Sequence, residues 1–265
     1  AWSSDGKWLA SGGEDRSVRI WNVDEQRQQY LLRGHTELVH DVTWSSDSTR
    51  VASASEDKTV RVWDAIAGKS QVVLDKHLGP VEAVAWSPSG EWIATGAGRD
   101  PSEIQLWRAK DGSHVEALRL ERGYVRQIRW HPKQHKLACV DGGKLRIWEI
   151  EDSDSYTVEG DLWGGALDWS PDGRTLATSG YTDNSVRVWD TAGEFKDRKL
   201  IHSAKSHSVA WCPDGHLIAS AHDDQSVRVW DAKTGSRHTV FKGHTGQSVR
   251  HVAWSPDSRN LASSG

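Results

Sequence analysis

The 265-residue sequence has no methionine, two cysteines, two phenylalanines and seven prolines. Each scarcity excludes something. Cys139 and Cys212 cannot build a disulfide framework or complete a four-ligand zinc site alone, so a reducing compartment is expected, with both thiols filling small core slots. No run of about 18 apolar residues is present to cross a bilayer as a helix, and neither end reads as a charged, apolar, then small-residue signal segment. A soluble, intracellular and cytoplasmic chain with no membrane association is therefore expected. Its formal charge of −4, from 33 Lys+Arg against 37 Asp+Glu, is too small to gather polyanions by bulk field. The opening Ala1-Trp2-Ser3-Ser4-Asp5-Gly6 begins inside a pattern that recurs later, so residues 1–265 are expected to be one domain excerpted from a longer repeat array.

What is abundant is tryptophan, 16 residues in all, and it is periodic. One series, each member followed by a turn, runs Trp2, Trp44, Trp86, Trp130, Trp169, Trp211 and Trp254, in steps of 39 to 44 residues. A second series, Trp21, Trp63, Trp107, Trp148, Trp189 and Trp230, follows its partner by 18 to 21 residues; only Trp8, Trp92 and Trp163 belong to neither. Each period reads as four short strands. The first ends at the leading Trp, as in residues 39–44, and an SPDG-type turn follows. Residues 51–55, 59–63 and 71–74 supply the other three strands. No segment has a helical period, so the chain is expected to be all-β. One four-stranded sheet of this size cannot cover both its faces, and stacking copies radially does, which predicts a propeller of antiparallel blades.

Gly34-His35, Ser53, Asp57 and Trp63-Asp64 resemble the WD-repeat (WD40) β-propeller family, and the resemblance covers essentially the whole chain. It implies a hydrogen-bonded tetrad in each blade, formed by a His, a second-strand Ser or Thr, a hairpin Asp and the third-strand Trp. Full sets are His35, Ser53, Asp57, Trp63 and His202, Ser220, Asp224, Trp230; His77, Thr95, Asp100, Trp107 is a stretched version. Residues 253–265 repeat residues 1–13. The reading adopted is a seven-bladed parent whose last blade is incomplete here; the alternative is a six-bladed ring closed by pairing strand 249–254 with strand 7–12.

A neighbouring Ser, His and Asp also describes a hydrolase triad. A nucleophilic Ser, however, stands exposed beside an oxyanion hole, whereas these recur in several units and end on a Trp donor, which suits a buried structural network. H-E-x-x-H, P-loop and G-x-S-x-G motifs are absent, the 13 His show no metal spacing, and the acidic stretch 149–154 lacks the glycine and distal Glu of a calcium loop. Neither enzyme activity, metal nor cofactor is expected. The first strand reads V-x-x-V-x-W, a spacing that breaks alternation and predicts a β-bulge re-aiming His40, Glu82, Arg126 and Arg250, with Gly165 and His207 at the aligned positions.

The family resemblance places that bulge position on the narrow face. Joining it there are Leu38, Pro80, Tyr124, Trp163, Lys205 and Ser248, together with Glu14, Glu56, Arg99, Thr182 and Asp223. Departures from the repeat cluster in the fourth and fifth complete units, where Glu121 and Gly160 stand in place of His and the turn becomes His131-Pro132-Lys133-Gln134. Tyr124, Arg126 and Trp163, with Arg99, His40, Glu82 and Arg250, form the expected binding set for a protein or peptide, because Trp, Tyr and Arg are the usual anchors. The rival class is an anionic-ligand or RNA site on the basic stretch 119–136, in which Arg119, Arg122, Arg126, Arg129, Lys133 and Lys136 face Glu121 alone. Those residues span a strand and loops on both faces, so a solvated set is the better reading and nucleic acid is not an expected partner. The partner's identity and the oligomeric state stay open.

Overall fold

The computed structural model describes residues 1–98, 102–120, 125–141, 143–150, 155–158, 166–180, 182–191, 197–201, 204–246 and 248–265. All regular structure among them is β-strand, and the chain divides into two compact units, Ala1–Trp130 and His131–Gly265.

In the first unit β1 (Trp8–Gly12), β2 (Ser17–Asn22) and β3 (Arg27–Arg33) form one antiparallel sheet, and Trp2 bridges to Leu9 in front of it. A second sheet follows in chain order: β4 (Val39–Trp44), β5 (Arg50–Ser55), β6 (Val60–Asp64) and β7 (Lys69–Leu74). The third is β8 (Val81–Trp86), β9 (Trp92–Ala97), β10 (Glu103–Arg108) and β11 (His114–Arg119), after which comes β12 (Ile128–Trp130).

The second unit opens with antiparallel β13 (Lys136–Asp141), β14 (Lys144–Glu149) and β15 (Ser155–Val158). Two four-stranded sheets follow, β16 (Leu167–Trp169) to β17 (Thr175–Gly180), β18 (Ser185–Asp190) and β19 (Asp197–Ile201), then β20 (Ser206–Trp211), β21 (Leu217–His222), β22 (Ser226–Asp231) and β23 (Arg237–Lys242). The pair β24 (His251–Trp254) and β25 (Leu261–Ser264) forms a sheet of two strands. Four strands per 42-residue period is the expected count.

Small residues on the second strands explain the stacking. Val51, Ala52, Ser53 and Ala54 of β5 are fully buried on both faces, since a neighbouring sheet covers each side. The core is accordingly a series of layers between sheets. One joins Val18, Ile20 and Leu32 to Val39, Trp44, Val51 and Trp63; the next joins Val60, Val62 and Leu74 to Val84, Trp86, Ile93 and Trp107. In the second unit Ala177, Val186 and Val188 pack against Val209, Trp211, Ile218 and Trp230. The leading Trp also ties sheets by hydrogen bonds: Trp44 Nε1 donates to the Ala1 carbonyl at 3.2 Å and Trp130 Nε1 to that of Ala85 at 3.1 Å.

After the leading Trp, a Ser hydroxyl donates to an Asp two residues on, at 2.5 Å for Ser45 and Asp47 and 2.6 Å for Ser170 and Asp172, and the next residue takes a left-handed conformation. The divergent turn at 131–134 keeps only the closing bond, from the His131 N–H to the Lys136 carbonyl at 2.8 Å, and none of its residues takes the left-handed conformation. His131 Nδ1 accepts the backbone N–H groups of Lys133 (3.0 Å) and Gln134 (2.9 Å), so its proton sits on Nε2 and is donated to the Gly173 carbonyl at 3.1 Å. Its ring also meets Trp169 edge-on at 4.9 Å. The sequence reading treated this turn as variation; its backbone does differ, and His131 caps it and fastens it to the next sheet.

That contact separates two glycines of one conformation. Gly173 and Gly215 occupy the same turn position, with φ of 78° and 77°, but a Cβ on Gly173 would lie 2.2 Å from His131 Nε2, while the nearest atom to one on Gly215 is 4.0 Å away. Gly215→Ala is expected to cost about 1 kcal/mol for the left-handed backbone alone. Gly173→Ala should cost about 2 to 4 kcal/mol, the overpacking being added. Equal denaturation midpoints for the two variants would contradict the His131 contact.

Candidate functional site

Two arrangements recur, a buried polar frame inside the sheets and an irregular first strand that carries side chains out of them. The frame is built on one hydrogen bond. The third-strand indole donates to the second-strand hydroxyl in Trp63–Ser53, Trp107–Thr95, Trp189–Thr178 and Trp230–Ser220, each at 2.8 Å, and in Trp21–Ser11 at 3.0 Å. Register dictates the pairing: Trp63 lies opposite Val51, which places its ring beside Ser53 on the same face two residues on.

In the second sheet the frame is complete. His35 Nδ1 donates to Asp57 Oδ2 at 2.8 Å, its Nε2 accepts from Ser53 Oγ at 2.8 Å, and Ser53 accepts from Trp63. Burial lowers the His35 pKa, which keeps the ring in the neutral form this chain of bonds needs. Burial alone would raise the pKa of Asp57, yet bonds from Thr59, His35 and the Thr36 amide outweigh it and hold the carboxyl below its ordinary range. The loop glycine has a steric reason: a Cβ on Gly34 would stand 3.1 Å from Arg61 Nη1 and 3.2 Å from the Trp63 ring.

Elsewhere the members change. Asp100 lies outside the described residues, and Glu103 supplies a carboxylate instead, 3.3 Å from His77 Nδ1, while Thr95 bonds His77 Nε2 at 2.6 Å and Gln105 donates to Glu103 at 2.7 Å. Burial pushes the His77 pKa down to about 4, an effect that Glu103 only partly offsets. His202 also lies outside the described residues. Ser220 bonds His222 Nε2 at 2.8 Å, and Asp224 departs from the expected role: its carboxylate takes Ser226 and Arg228, both at 2.5 Å. Asp15 with Ser17 and Arg19, and Asp183 with Ser185 and Arg187, repeat that alternative. Sequence alignment missed Glu103 and His222 because both reach the site from a strand two residues away, on the same face, and from no loop position of the repeat.

The serines a hydrolase would use, Ser53 and Ser220, are fully buried in this frame. Among the described residues no group of three His, Cys, Asp or Glu could hold a metal ion, and no helix is long and apolar enough to cross a membrane. Cys139 and Cys212 are free and buried; Cys139 occupies the position of Ser53, and burial pushes its thiol well above the ordinary range.

Bulges stand at three of the positions where the first-strand spacing and its alignment put them. Pairing jumps from Val39 to Asp41, from Val81 to Ala83 and from Ser206 to Ser208, which leaves His40, Glu82 and His207 outside the ladder. His40 is exposed and Glu82 half-buried, and Arg126 and Arg250, just ahead of β12 and β24, are exposed. Backbone bonds seat the hairpin position beside the residue two before the bulge: Glu56 N–H donates to Leu38 O at 2.9 Å, Gly98 to Pro80 at 3.2 Å and Asp223 to Lys205 at 3.1 Å. In the second unit the hairpin position also meets the bulge residue itself, since His207 Nε2 bonds Asp223 Oδ1. Tyr124, Trp163 and Arg99 lie outside the described residues, as do Glu121, Gly160 and Gly165. Of the basic stretch, Lys136 is paired to Glu149 at 2.7 Å and Arg129 Nη1 donates to the Ile128 carbonyl at 2.9 Å, while Arg119, Arg126 and Lys133 are exposed.

Comparison with known proteins agrees with this architecture. Residues 21–202, more than half of the chain, match the family model described as Eukaryotic translation initiation factor eIF2A. Residues 159–264 match the ELP1 first N-terminal beta-propeller and residues 1–22 the WD domain, G-beta repeat. The chain belongs to the WD-repeat (WD40) β-propeller family, and residues 21–202 fall within the eIF2A family model. Among curated relatives, it is 28% identical over 226 residues to the transcriptional corepressor LEUNIG_HOMOLOG of Arabidopsis thaliana, covering 83% of this chain and 23% of that protein. It is 26% identical over 172 residues to actin-interacting protein 1 of Caenorhabditis elegans, covering 62% and 28%. To the small ribosomal subunit protein RACK1 of the same organism it is 30% identical over 196 residues, covering 69% and 46%. The chain therefore spans less than half the length of each of these three.

Two outcomes follow from the frame. Trp63→Ala removes an indole that is 1% exposed and strands Ser53 and His35, so a loss of about 3 to 5 kcal/mol is expected. Trp21→Ala, at the same repeat position but 37% exposed, should lose about 1 to 2 kcal/mol; equal losses in urea titrations would deny the burial difference its role. The second outcome is a pH dependence. An unfolded histidine takes a proton near 6.5, whereas folded His77 stays neutral down to about 4, so the unfolded state binds more protons in between and stability present above pH 6.5 is lost as pH falls. From pH 6.5 to 5 the parent should lose about 1 to 2 kcal/mol through this group, and His77→Gln should lose less. An unchanged slope in the variant would mean that His77 does not carry the effect.

Proposed function

We propose that the chain is a non-enzymatic scaffold that binds a protein or peptide through side chains that its first-strand bulges re-aim. The observation that supports this best is the set of bulges itself: three first strands give up a ladder position, which leaves His40 exposed and Glu82 half-buried and turns His207 to Asp223, each in a sheet stiffened by the buried frame. Arg126 and Arg250 supply exposed guanidinium groups at the aligned positions, and Tyr124, Trp163 and Arg99 complete the proposed set from outside the described residues. Aromatic and arginine anchors on a preorganised surface bind at low entropic cost. The names of the relatives, a transcriptional corepressor, an actin-interacting protein and a ribosomal subunit protein, fit a shared scaffold put to different partners. The fully buried tetrad serines weigh against hydrolysis. The use of Lys136 and Arg129 in internal bonds weighs against a phosphate-binding stripe along 119–136.

A partner captured on the parent chain should bind Arg126→Ala and Trp163→Ala more weakly by about 2 kcal/mol each, with Glu14→Ala close to the parent. Arg126→Ala should keep the parent's denaturation midpoint, since its side chain is exposed. Unchanged affinity in both variants with loss in Glu14→Ala would move the site to the first sheets. A steep linear fall of log affinity with log salt would favour the phosphate-binding alternative.

A further inference from the structure

Trp92 stands outside both tryptophan series. It starts β9 at the end of its sheet away from the bulge, since Trp92 pairs with Arg108 whereas Ala97 pairs with Val81 and Glu103. The residue after the third-strand Trp is acidic in Asp64, Glu149, Asp190 and Asp231, but in the third sheet it is Arg108. Elsewhere that residue serves its own sheet. Asp64 accepts the N–H groups of Ile66 at 2.9 Å and Ala67 at 2.7 Å, Asp231 accepts that of Thr234 at 2.6 Å, and Glu149 pairs with Lys136 at 2.7 Å. The turn after Arg108 has no such need, because Asp111 caps it by accepting the Ser113 N–H at 2.9 Å. Backbone bonds pin Arg108 itself: its N–H donates to the Ser113 carbonyl and its carbonyl accepts from Gly112, each at 2.9 Å.

The Arg108 side chain is left over. Its guanidinium lies 5.2 Å over the ring of half-buried Trp92 and, among the described residues, makes no hydrogen bond or ion pair. Arg50 shows the contrast: it stacks on Trp86 at 4.7 Å, but its Nη1 donates to the Ala109 carbonyl at 2.7 Å. A guanidinium laid on an indole has its plane set by the ring and keeps its donor fork for an acceptor in that plane, which suits a carboxylate bidentately. We propose that Trp92 and Arg108 form a second docking site, for a protein segment carrying one aspartate or glutamate beside an aromatic or aliphatic residue. The carboxylate takes the Arg108 fork, and the apolar neighbour covers the Trp92 ring. Local charge sets the limit of one. Arg108 and Lys110 are exposed beside exposed Glu91 and Asp111, and the Ala109 N–H bonds the Glu91 carbonyl, so the four charges cancel. A phosphate polymer needs several uncompensated cations, and a run of acidic residues would meet the two carboxylates. Covering the stack also takes water from the cation and the ring, which strengthens their contact. Neither residue belongs to the bulge set, so either site can fail without the other.

The probe is a fluorescein-labelled hexapeptide with one glutamate between phenylalanine and leucine, titrated with the 265-residue chain and read by anisotropy. Controls are the same peptide with glutamine, oligoglutamate and a single-stranded RNA oligonucleotide. Saturable binding is expected, about tenfold weaker for the glutamine peptide. Arg108→Gln should weaken the glutamate peptide by about tenfold, and Arg108→Lys by about fivefold, since an ammonium keeps the charge without the planar fork. Trp92→Leu, which installs the residue type that β21 has in Leu217, should weaken it by about fivefold. Lys7→Gln removes an exposed cation beside Trp8 in the first sheet and should leave binding unchanged. Arg108→Gln should also keep the parent's denaturation midpoint, because the side chain is exposed, so its loss of binding is not a loss of fold. The proposal is overturned if nothing binds, if the glutamate and glutamine peptides bind alike, or if Arg108→Gln binds as the parent does. It is overturned equally if Lys7→Gln weakens binding as much as Arg108→Gln, which would make bulk charge the cause. Tighter binding of RNA or oligoglutamate than of the hexapeptide would make a polyanion the occupant and overturn it as well.

Discussion

The hydrogen bond from a third-strand indole to a second-strand hydroxyl is the constraint on which the rest of the blade depends. It fixes the register of two strands, because a slip of one residue would turn the hydroxyl to the opposite face and leave a buried N–H without an acceptor. It also dictates the residue types. Only a side chain that accepts from the indole and donates onward can link Trp63 to His35, and Ser and Thr are the small residues that do both. Small size matters as much as polarity, since Ser53 and Thr95 sit where neighbouring sheets leave no exposed surface.

Beyond that bond the frame tolerates substitution, and the substitutions follow reach. A carboxylate beside the histidine comes from the hairpin as Asp57 in one sheet and from the third strand as Glu103 in another. Where the carboxylate is not bound to a histidine, as at Asp15, Asp183 and Asp224, it is held by a Ser two residues on and an Arg four residues on. The hairpin is pinned in each case, and the same D-x-S-x-R spelling serves sheets that keep the indole–hydroxyl bond but do not bind this carboxylate to a histidine. This is why the repeat survives sequence drift in its histidines.

These facts define what could be read without coordinates. The two Trp series give strand order and register, since both depend on a period visible along the chain. The bulges at His40, Glu82 and His207 follow from a three-then-two spacing that no straight strand accommodates. Glu103 and His222 were hidden because their roles come from facing the same side as Thr95 and Ser220, and counting along a loop does not register that. His131 was hidden for the opposite reason. It breaks the spelling of the turn while keeping its function, by offering one ring nitrogen to two backbone donors.

Cys139 shows what happens when the central hydroxyl itself is replaced. A thiol is a weak hydrogen-bond partner, and burial keeps this one protonated, so it cannot link an indole to a histidine as Ser53 does. The sheet answers with charge: Asp141, buried at the end of β13, stands 3.2 Å from Arg146 Nε on the facing strand, two residues from the cysteine. Burying such a pair carries a desolvation cost that a hydroxyl would not, and its net contribution to stability is small. What it retains is specificity of register, because shifting β14 by one residue would leave both charges buried and unpaired. The hydroxyl and the ion pair thus serve the same end by different chemistry, and the side chain that matters in each blade is the one that makes the wrong register costly.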